Sequence, residues 1–280
     1  MTLNILDFST VAWVGSIAAG FLGALTGLGG GIIVIPMLTL LLGVDIRYAA
    51  GAALISVIAT SSGAASAYVR DGYSNLRVGM FLEMATTFGA LVGASVAAYV
   101  SGSSIAVIFG VVLLASAYLS LHKRQDGGDA GGPDRLATRL HMDSTYPTPA
   151  GPEAYHVHGV PLGFGLMFVA GALSGLLGIG SGALKVLAMD RAMRLPFKVS
   201  TTTSNFMIGV TAAASAGVYL GRGYIDPGLA MPVMLGVLVG SLAGARVLMR
   251  AESRALRWIF AAVIVALGVE MIYNGLTGRI

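Results

Sequence analysis

Residues 27–31 read Gly-Leu-Gly-Gly-Gly, and residues 178–182, which follow 151 positions later, read Gly-Ile-Gly-Ser-Gly. The two clusters belong to two longer copies of one unit, from Gly20 to about Ala98 and from Gly171 to about Met249, which align without a gap. Pairs at the same offset include Arg47 and Lys198, Tyr68 and Tyr219, Asn75 and Asp226, Gly89 and Gly240, and Gly93 and Gly244. The chain is therefore an internal duplication, and each copy has a glycine cluster between two short apolar stretches.

The composition is that of a membrane protein with many spans. Of 280 residues, 56% are hydrophobic and only 11% are charged, whereas charged residues make up about a quarter of a soluble domain. The 40 glycines suit helices packed in lipid, where small residues let backbones approach closely. The chain has no cysteine, which excludes disulfides and thiolate metal sites. We therefore predict an all-α polytopic protein that lies in the lipid bilayer.

Apolar stretches define the predicted helices, five in each half. They lie near 11–28, 31–43, 48–69, 78–100, 103–121, 161–180, 183–195, 199–220, 228–249 and 254–276. The last three in each half are long enough to cross about 30 Å of hydrocarbon, but 31–43 and 183–195 reach only about 20 Å as helices. We interpret the first two stretches of each half as a glycine-broken pair, either short or re-entrant, that precedes three spanning helices. Ten full crossings is the alternative.

Lysine and arginine are distributed unequally between the two sides of the predicted bundle. A re-entrant pair and a pair of crossings both return the chain to its starting side, so both interpretations group the same loops. One side holds Arg70, Arg77, Lys123, Arg124, Arg135, Arg139, Arg191, Arg194, Lys198, Arg246, Arg250, Arg254 and Arg257, and the other holds Arg47, Arg222 and Arg279. The positive-inside rule predicts a multi-pass inner-membrane protein with a cytoplasmic central loop and both termini outside.

Two further conclusions follow from this topology. Each half makes an odd number of net crossings, which gives the two repeats inverted topology. Membrane orientation also explains the excess of basic residues, so this excess does not indicate a nucleic-acid partner.

The stretch 122–160 separates a first membrane repeat, 1–121, from a second, 161–280. Its glycines, prolines and scattered charges predict a flexible cytoplasmic linker. All four histidines lie in this stretch: His122, His141, His156 and His158. No carboxylate or cysteine cluster accompanies them, so a solvated linker is favoured over a metal site.

The glycine clusters are the predicted binding site. A broken helix is tolerated at membrane depth only where its backbone is buried in protein or lines a cavity. The helix after each break directs unpaired N–H groups and the positive end of its dipole toward the break, which suits an anion. The predicted donors are Gly29, Gly30 and Gly31 in the first half and Gly180, Ser181 and Gly182 in the second. The alternative is that these glycines only allow helices to cross closely.

Four side chains are predicted to contribute to this site: Lys185, Thr202, Asn205 and Ser56. A lysine at membrane depth is costly and is therefore a functional candidate, here to neutralise an anionic substrate. Its alternatives are snorkelling to an interface and pairing with a carboxylate. Residues 200–205 read Ser-Thr-Thr-Thr-Ser-Asn, a run too polar for every side chain to face lipid. Such donors suit an oxyanion, and hydrogen bonding between helices is the alternative.

Glu83 and Glu270 are acidic residues inside the apolar stretches. Either is a candidate for coupling transport to the proton gradient, although a position near the membrane interface is the favoured alternative. No cofactor and no metal is predicted.

A specific set of residues resembles a known family. It comprises Gly20, Gly23, Gly27, Gly29, Gly30, Gly31 and Pro36, the second-half residues Gly171, Gly175, Gly178, Gly180, Ser181 and Gly182, and the Thr-Ser-Asn stretch 203–205. This pattern resembles the sulfite exporter TauE/SafE family, over nearly the whole chain outside 122–160. The second half has Ser181 and Leu187 where the first has Gly30 and Pro36, which is a departure from strict equivalence. The resemblance implies export of small sulfur-containing anions such as sulfite, sulfonates and sulfoacetate, without specifying which.

These features predict a secondary transporter that exports a small sulfur-containing anion by alternating access and binds it near the midplane. The alternatives are an uncoupled anion channel and a transporter of a different small anion. An enzyme is not predicted, because no Ser/His, Cys/His or HExxH set lies inside the membrane segments. The oligomeric state stays open, but the Gly89 and Gly240 faces are expected to pack within one chain because both repeats have them.

Overall fold

The computed structural model describes residues 5–26, 30–70, 73–121, 134–148, 151–180, 182–248 and 253–278. Each predicted apolar stretch overlaps a helix in its described part, which agrees with an all-α membrane protein. The first half contains α1 (Ile5–Thr26), α2 (Gly31–Pro36), α3 (Ile46–Arg70), α4 (Leu76–Ala97) and α5 (Gly102–Leu121). The connecting segment contains α6 (Arg135–Arg139), β1 (Ser144–Thr148) and β2 (Gly151–Tyr155). The second half contains α7 (Val160–Leu177), α8 (Gly182–Leu187), α9 (Phe197–Gly221), α10 (Pro227–Leu248) and α11 (Ser253–Leu276).

The helices recur at the same offset as the residues. Each of α2, α3, α4 and α5 begins 151 positions before its counterpart among α8, α9, α10 and α11. Matched residues cap two of these helices. Asn75 directly precedes α4, and its side chain accepts a hydrogen bond from the amide of Val78 in the first turn. Asp226 directly precedes α10, and its side chain accepts one from the amide of Gly228. Asn and Asp are favoured at N-caps because they satisfy the free amides of the first turn. The duplicated sequence therefore produces duplicated secondary structure.

The two short helices have the same unusual form. α2 spans six residues and continues as a π-helical turn, Met37–Leu41, and α8 continues in the same way through Ala188–Ala192. Each is about 16 Å long, compared with about 30 Å of hydrocarbon, so the predicted short helices are present. In the described part of the chain, three segments are long and apolar enough to cross a membrane: 76–97, 160–177 and 227–244.

Helices of each half pack against helices of the other half. α1 packs along α10 and α7 along α4, while α3 packs against α9 and α5 against α11. Glycines bring the backbones together: a Cβ on Gly89 would lie closer than 3.0 Å to the backbone of Phe168, and one on Gly240 equally close to that of Ile17. These are matched contacts, and they use small residues to bring helices close. The Gly89 and Gly240 faces thus pack inside the chain, as the sequence predicts.

The loops gather at two ends of the helices. At one end, which we call the far end, the Arg47 guanidinium donates to the carbonyl oxygens of Ala97 and Val100, at 3.4 and 2.7 Å. At the other end of α4, which we call the linker end, the Asn75 amide nitrogen donates to the carbonyl oxygen of Met142 at 2.8 Å. The hydroxyl of Thr203, near the start of α9, accepts a hydrogen bond from the Asn75 backbone N–H. α3 therefore begins at the far end, whereas α4 and α9 both begin at the linker end.

The described part of the predicted flexible linker has regular structure. β1 and β2 form an antiparallel hairpin, and buried side chains of this segment join those of α4 and α7 in one apolar cluster. The segment contributes Ala137, Met142, Tyr155 and Val157 to that cluster. We call residues 134–148 and 151–159 the linker module. This order differs from the prediction of one flexible stretch, because the hairpin satisfies its own backbone and its apolar residues are buried against the helices.

Asn75 is one hydrogen-bonding link between the module and α4, beside the Arg77 guanidinium that donates to the His141 carbonyl oxygen. Its amide nitrogen donates to the Tyr155 hydroxyl at 2.8 Å as well as to Met142. Burial raises the pKa of the Tyr155 phenol, which favours the neutral form of that hydroxyl. One side chain thus caps a helix and holds the module.

Replacing Asn75 with alanine is expected to lower the free energy of unfolding by about 0.5–2 kcal/mol through the lost N-cap. It also removes the hydrogen bonds to the module, so limited proteolysis should cut residues 134–159 faster. Asp226→Ala removes the matched cap of α10 and serves as the control: it should lower the melting temperature without exposing the module. Equal proteolysis of the two variants would contradict the role of Asn75.

Candidate functional site

The two glycine breaks approach each other between α3 and α9. A Cβ on Gly31 would lie 2.9 Å from Val57 of α3 and 3.8 Å from the carbonyl oxygen of Ile179. A Cβ on Gly180 would lie 3.1 Å from the same Val57 and 2.9 Å from Ile208 of α9. Val57 and Ile208 are matched positions of the repeat, near the middle of their helices. The breaks of both halves therefore meet around one apolar contact at the centre.

Backbone geometry explains why the second cluster requires glycine. Gly178 and Gly180 both have φ of 72°, in the left-handed region that side chains rarely adopt. Of the predicted backbone donors the structure describes Gly30, Gly31, Gly180 and Gly182, all buried, while Gly29 and Ser181 lie outside the described residues. The carbonyl oxygen of Gly30 accepts bonds from the amides of Ile33 and Val34, at 3.1 Å each. That of Gly182 accepts one from the Ser204 hydroxyl at 3.2 Å.

Lys185 is fully buried, with 0% of its surface exposed. It lies on α8, the short helix after the second glycine break, and its ammonium donates to the hydroxyl of Thr211 on α9. Its Nζ lies 3.9 Å from Oε2 of Glu83 on α4. Since a lone charge in a low-dielectric interior is very costly, the carboxylate compensates the lysine. The structure thus places Lys185 in the interior, in an ion pair, and not at an interface.

Glu83 is also buried, at 8% exposure. Its Oε1 accepts hydrogen bonds from Thr211 at 2.7 Å and from Thr87 at 3.1 Å. Its Oε2 has no hydrogen-bond partner among the described residues. The Glu83 carboxylate therefore faces the interior of the helix bundle and the buried lysine.

Thr211 joins the two charged groups, and the sequence did not single it out. Its hydroxyl accepts from Lys185, while its one proton can go either to Glu83 or to the carbonyl oxygen of Met207, at 3.0 Å. A sequence signal exists, because Thr60 is the matched residue of the first half. Neither charge is repeated, because Val34 occupies the position matched to Lys185 and Met234 the position matched to Glu83. The polar group therefore joins Glu83 of the first half with Lys185 and Thr211 of the second.

Thr202 lies away from this group. Its hydroxyl donates to backbone carbonyls, including that of Tyr73 at 3.0 Å, at the linker end. It precedes Thr211 by nine residues, about 13 Å along the helix. In this conformation Thr202 therefore fastens α9 to the loop before α4.

The remaining predicted residues are distributed over three helices. Asn205 is half-buried on α9, and no hydrogen bond joins its side chain to another described residue. Ser56 is buried beside Val57, and its hydroxyl donates to the carbonyl oxygen of Ala52 at 3.0 Å. Glu270 is exposed on α11, a helix that packs mainly on α5. Among the charged candidates, the structure thus joins Lys185 with Glu83 and separates Glu270 from both.

Comparison with known proteins gives one consistent result. The family described as Sulfite exporter TauE/SafE matches residues 12–271. The probable membrane transporter protein YunE of Bacillus subtilis is 28% identical over 268 residues, which is 92% of this chain and 95% of that protein. YdhB of the same organism, also a probable membrane transporter protein, is 27% identical over 82% of this chain and 84% of its own length. A probable membrane transporter protein of Xylella fastidiosa (strain 9a5c) is 24% identical over 91% of each chain. No solved structure matches.

The apolar helices and these relatives agree on a membrane transporter. The family match covers both repeats and the linker module between them, not one half alone. This chain therefore belongs to the sulfite exporter TauE/SafE family.

Proposed function

We propose that this protein is a secondary transporter that exports a small sulfur-containing anion, such as sulfite or an organosulfonate, by alternating access. The observation that carries the proposal is the fully buried Lys185 on the helix that follows the second glycine break. A buried lysine in a membrane segment is a functional site by default, because it is retained at a large desolvation cost. The family supplies the substrate class, since its description names sulfite.

The two repeats have inverted topology in this proposal. Support comes from the positions of matched helix ends: α3 begins beside Ala97 and Val100 at the far end, and its counterpart α9 begins beside Asn75 at the linker end. These positions support opposite directions for matched helices. With the positive-inside rule, the linker module lies in the cytoplasm of an inner-membrane protein and both termini lie outside.

Alternating access requires two arrangements of the halves around one site. The contact of Gly31 and Gly180 with Val57 closes the centre in this conformation. The two halves meet along packed pairs of helices, including α3 against α9. Rocking of one half against the other at this pair would open the centre first to one side and then to the other.

The anion would bind at the two breaks. Backbone N–H groups of Gly29, Gly30 and Gly31 and of Gly180, Ser181 and Gly182 would donate to it, together with Lys185, Asn205, Thr202 and Ser56. Asn205 has the best support of the uncharged side chains, because its amide forms no hydrogen bond with the described residues. Thr202 would need to release its backbone carbonyl bonds first.

A binding screen by thermal shift on detergent-purified protein tests the proposal. The probes are sulfite, sulfoacetate, methanesulfonate, sulfate and thiosulfate, with methanesulfonamide as the neutral match of methanesulfonate. We expect at least one sulfur anion to raise the melting temperature, since ligand at 100 times its Kd stabilises by about 2.7 kcal/mol. The neutral amide should have no effect.

Lys185 variants complete this test. Lys185→Met should abolish the shift, whereas Arg47→Met, which changes a basic residue at the far end, should leave it intact. A shift only from the neutral probe, or an anion shift unchanged in Lys185→Met, would contradict the proposed function and site. Saturable flux in proteoliposomes would support a transporter, whereas flux that does not saturate would show a channel.

A further inference from the structure

We infer that Glu83 is the proton-coupling group, and that a transported anion and the Glu83 carboxylate compete for Lys185. The inference rests on the proposed function and adds its coupling ion. The starting observation is that Lys185 already has a counter-charge: Nζ lies 3.9 Å from Oε2 of Glu83, and the Thr211 hydroxyl contacts both groups. An incoming anion therefore meets a lysine whose charge is compensated.

Charge balance determines what must happen when the anion binds. With Lys185 and Glu83 both ionised the empty site is neutral, and adding a monovalent anion gives it a net negative charge inside a low-dielectric interior. Such an uncompensated buried charge is very costly. If Glu83 takes up one proton from water as the anion arrives, the site is neutral again, with the anion as the new partner of Lys185. Binding one anion thus binds one proton.

The geometry of Glu83 suits this change. Oε1 has two donors, Thr211 and Thr87, whereas Oε2 is buried without a hydrogen-bond partner in the described chain. Oε2 is also the oxygen that faces Lys185, so it is the atom where the proton would bind. Thr211 can remain with Oε1 in both states, or turn its proton to the carbonyl oxygen of Met207.

Apart from Lys185, the charged groups on the described elements around Glu83 lie away from its carboxylate. α7, which packs along α4, contains no Asp, Glu, Lys, Arg or His. The charged residues of the other neighbouring elements lie toward the linker end or on the surface: Arg77 of α4, bonded to the His141 carbonyl; Asp143 of the module, paired with His156; Lys198 in the first turn of α9; and Asp190 and Arg191 after α8. Lys185 is the cation that responds to the charge of Glu83.

The inference makes transport of a monovalent anion electroneutral. The anion and the proton cross in the same direction, and the site is neutral both loaded and empty. Net flux then follows the combined gradients of anion and proton and does not respond to membrane potential.

The test is the pH dependence of anion binding to the full-length protein in detergent, with methanesulfonate as the probe because it is monovalent and its sulfonate group stays ionised. Wherever Glu83 is ionised in the empty protein, wild-type affinity should fall about tenfold for each pH unit, because one proton is linked to binding. Glu83→Gln mimics the protonated carboxyl, and its Kd should change by less than about twofold over the same range. Glu270→Gln removes the exposed carboxylate of α11 and should follow the wild type.

Two further variants and one flux measurement keep the outcome clear. If Glu83→Gln does not fold, Glu83→Asp replaces it. Its anion affinity should still fall about tenfold for each pH unit, but the fall should begin at a different pH from that of the wild type. In Thr87→Val the fall should begin close to the wild-type pH. In proteoliposomes, methanesulfonate uptake should acidify the lumen, and a potassium–valinomycin potential should leave the rate unchanged.

The outcomes separate this inference from the proposed function. Wild-type binding that is independent of pH, or flux that follows membrane potential, overturns the role of Glu83 while the anion transporter stands. If none of the anions in the screen binds at any pH, the proposed function fails, and this inference fails with it.

Discussion

Replacing Lys185 with methionine is expected to lower the free energy of unfolding by roughly 3–5 kcal/mol, because Glu83 is left as an unpaired charge in the protein interior. Lys185 is fully buried and Glu83 nearly so, so water cannot compensate for the missing partner. Thermal unfolding of the purified protein in detergent, followed by tryptophan fluorescence or light scattering, measures the effect. A variant as stable as the wild type would show that the pair is hydrated or that Glu83 is neutral in the empty protein.

The double variant Lys185→Met with Glu83→Gln separates stability from function. Replacing both members of a buried pair removes the unpaired charge, and neutral replacements of similar volume often cost little. We expect most of the lost stability to return, while anion binding stays absent because no cation remains at the site. The double-mutant cycle also measures the coupling between the two residues directly, without a contribution from either single loss.

Alanine at Gly89 or Gly240 is expected to destabilise the fold by about 1–3 kcal/mol or more, because the added Cβ has no room. At Gly89 it would lie closer than 3.0 Å to backbone atoms of Phe168 and Ala172 on α7. Backbone atoms cannot turn away as a flexible side chain can, so the helices must separate. Since Gly240 makes the matched contact with Ile17 and Phe21 of α1, the two variants should lower the melting temperature by similar amounts.

Gly165 provides the control for this pair. It lies within α7, and a Cβ there would have no heavy atom within 4 Å. Alanine favours helices over glycine by about 0.5–1 kcal/mol, so Gly165→Ala should leave the melting temperature unchanged or raise it. If Gly89→Ala and Gly165→Ala behave alike, close helix crossing does not explain the glycine at position 89.

Much of the fold could be predicted from local signals. The apolar stretches predict each helix because burial of apolar side chains and helix length are properties of a continuous segment. Asn75 and Asp226 mark the starts of α4 and α10 for the same reason, since an N-cap acts within one turn. The described linker module was not predicted. Its order depends on Met142 and Tyr155 being buried against helices that are distant in sequence, and its polar composition alone indicates a flexible segment.

The sequence predicts the residues of the candidate site better than it predicts their arrangement. Its charge at membrane depth makes Lys185 a candidate, and Glu83 is one of two candidate carboxylates, but nothing in their spacing pairs them. Its polarity makes Thr202 a candidate, and the structure shows its hydroxyl bonded to the Tyr73 carbonyl oxygen at the linker end. Polarity in a membrane segment indicates that a residue has a partner, whereas the fold determines which partner it is.

By itself the sequence determined the duplication, the helices with their spacing, and the two glycine breaks, because these depend on residues that are close together or recur at one fixed offset. Only the tertiary structure decided that Lys185, Thr211 and Glu83, on three different helices, form one buried group. The repeat offered no guide to it, since the positions matched to Lys185 and Glu83 are the uncharged Val34 and Met234. The physical reason is that a buried charge must be compensated by whichever group packing brings within a few ångströms, and packing joins residues that the chain keeps far apart.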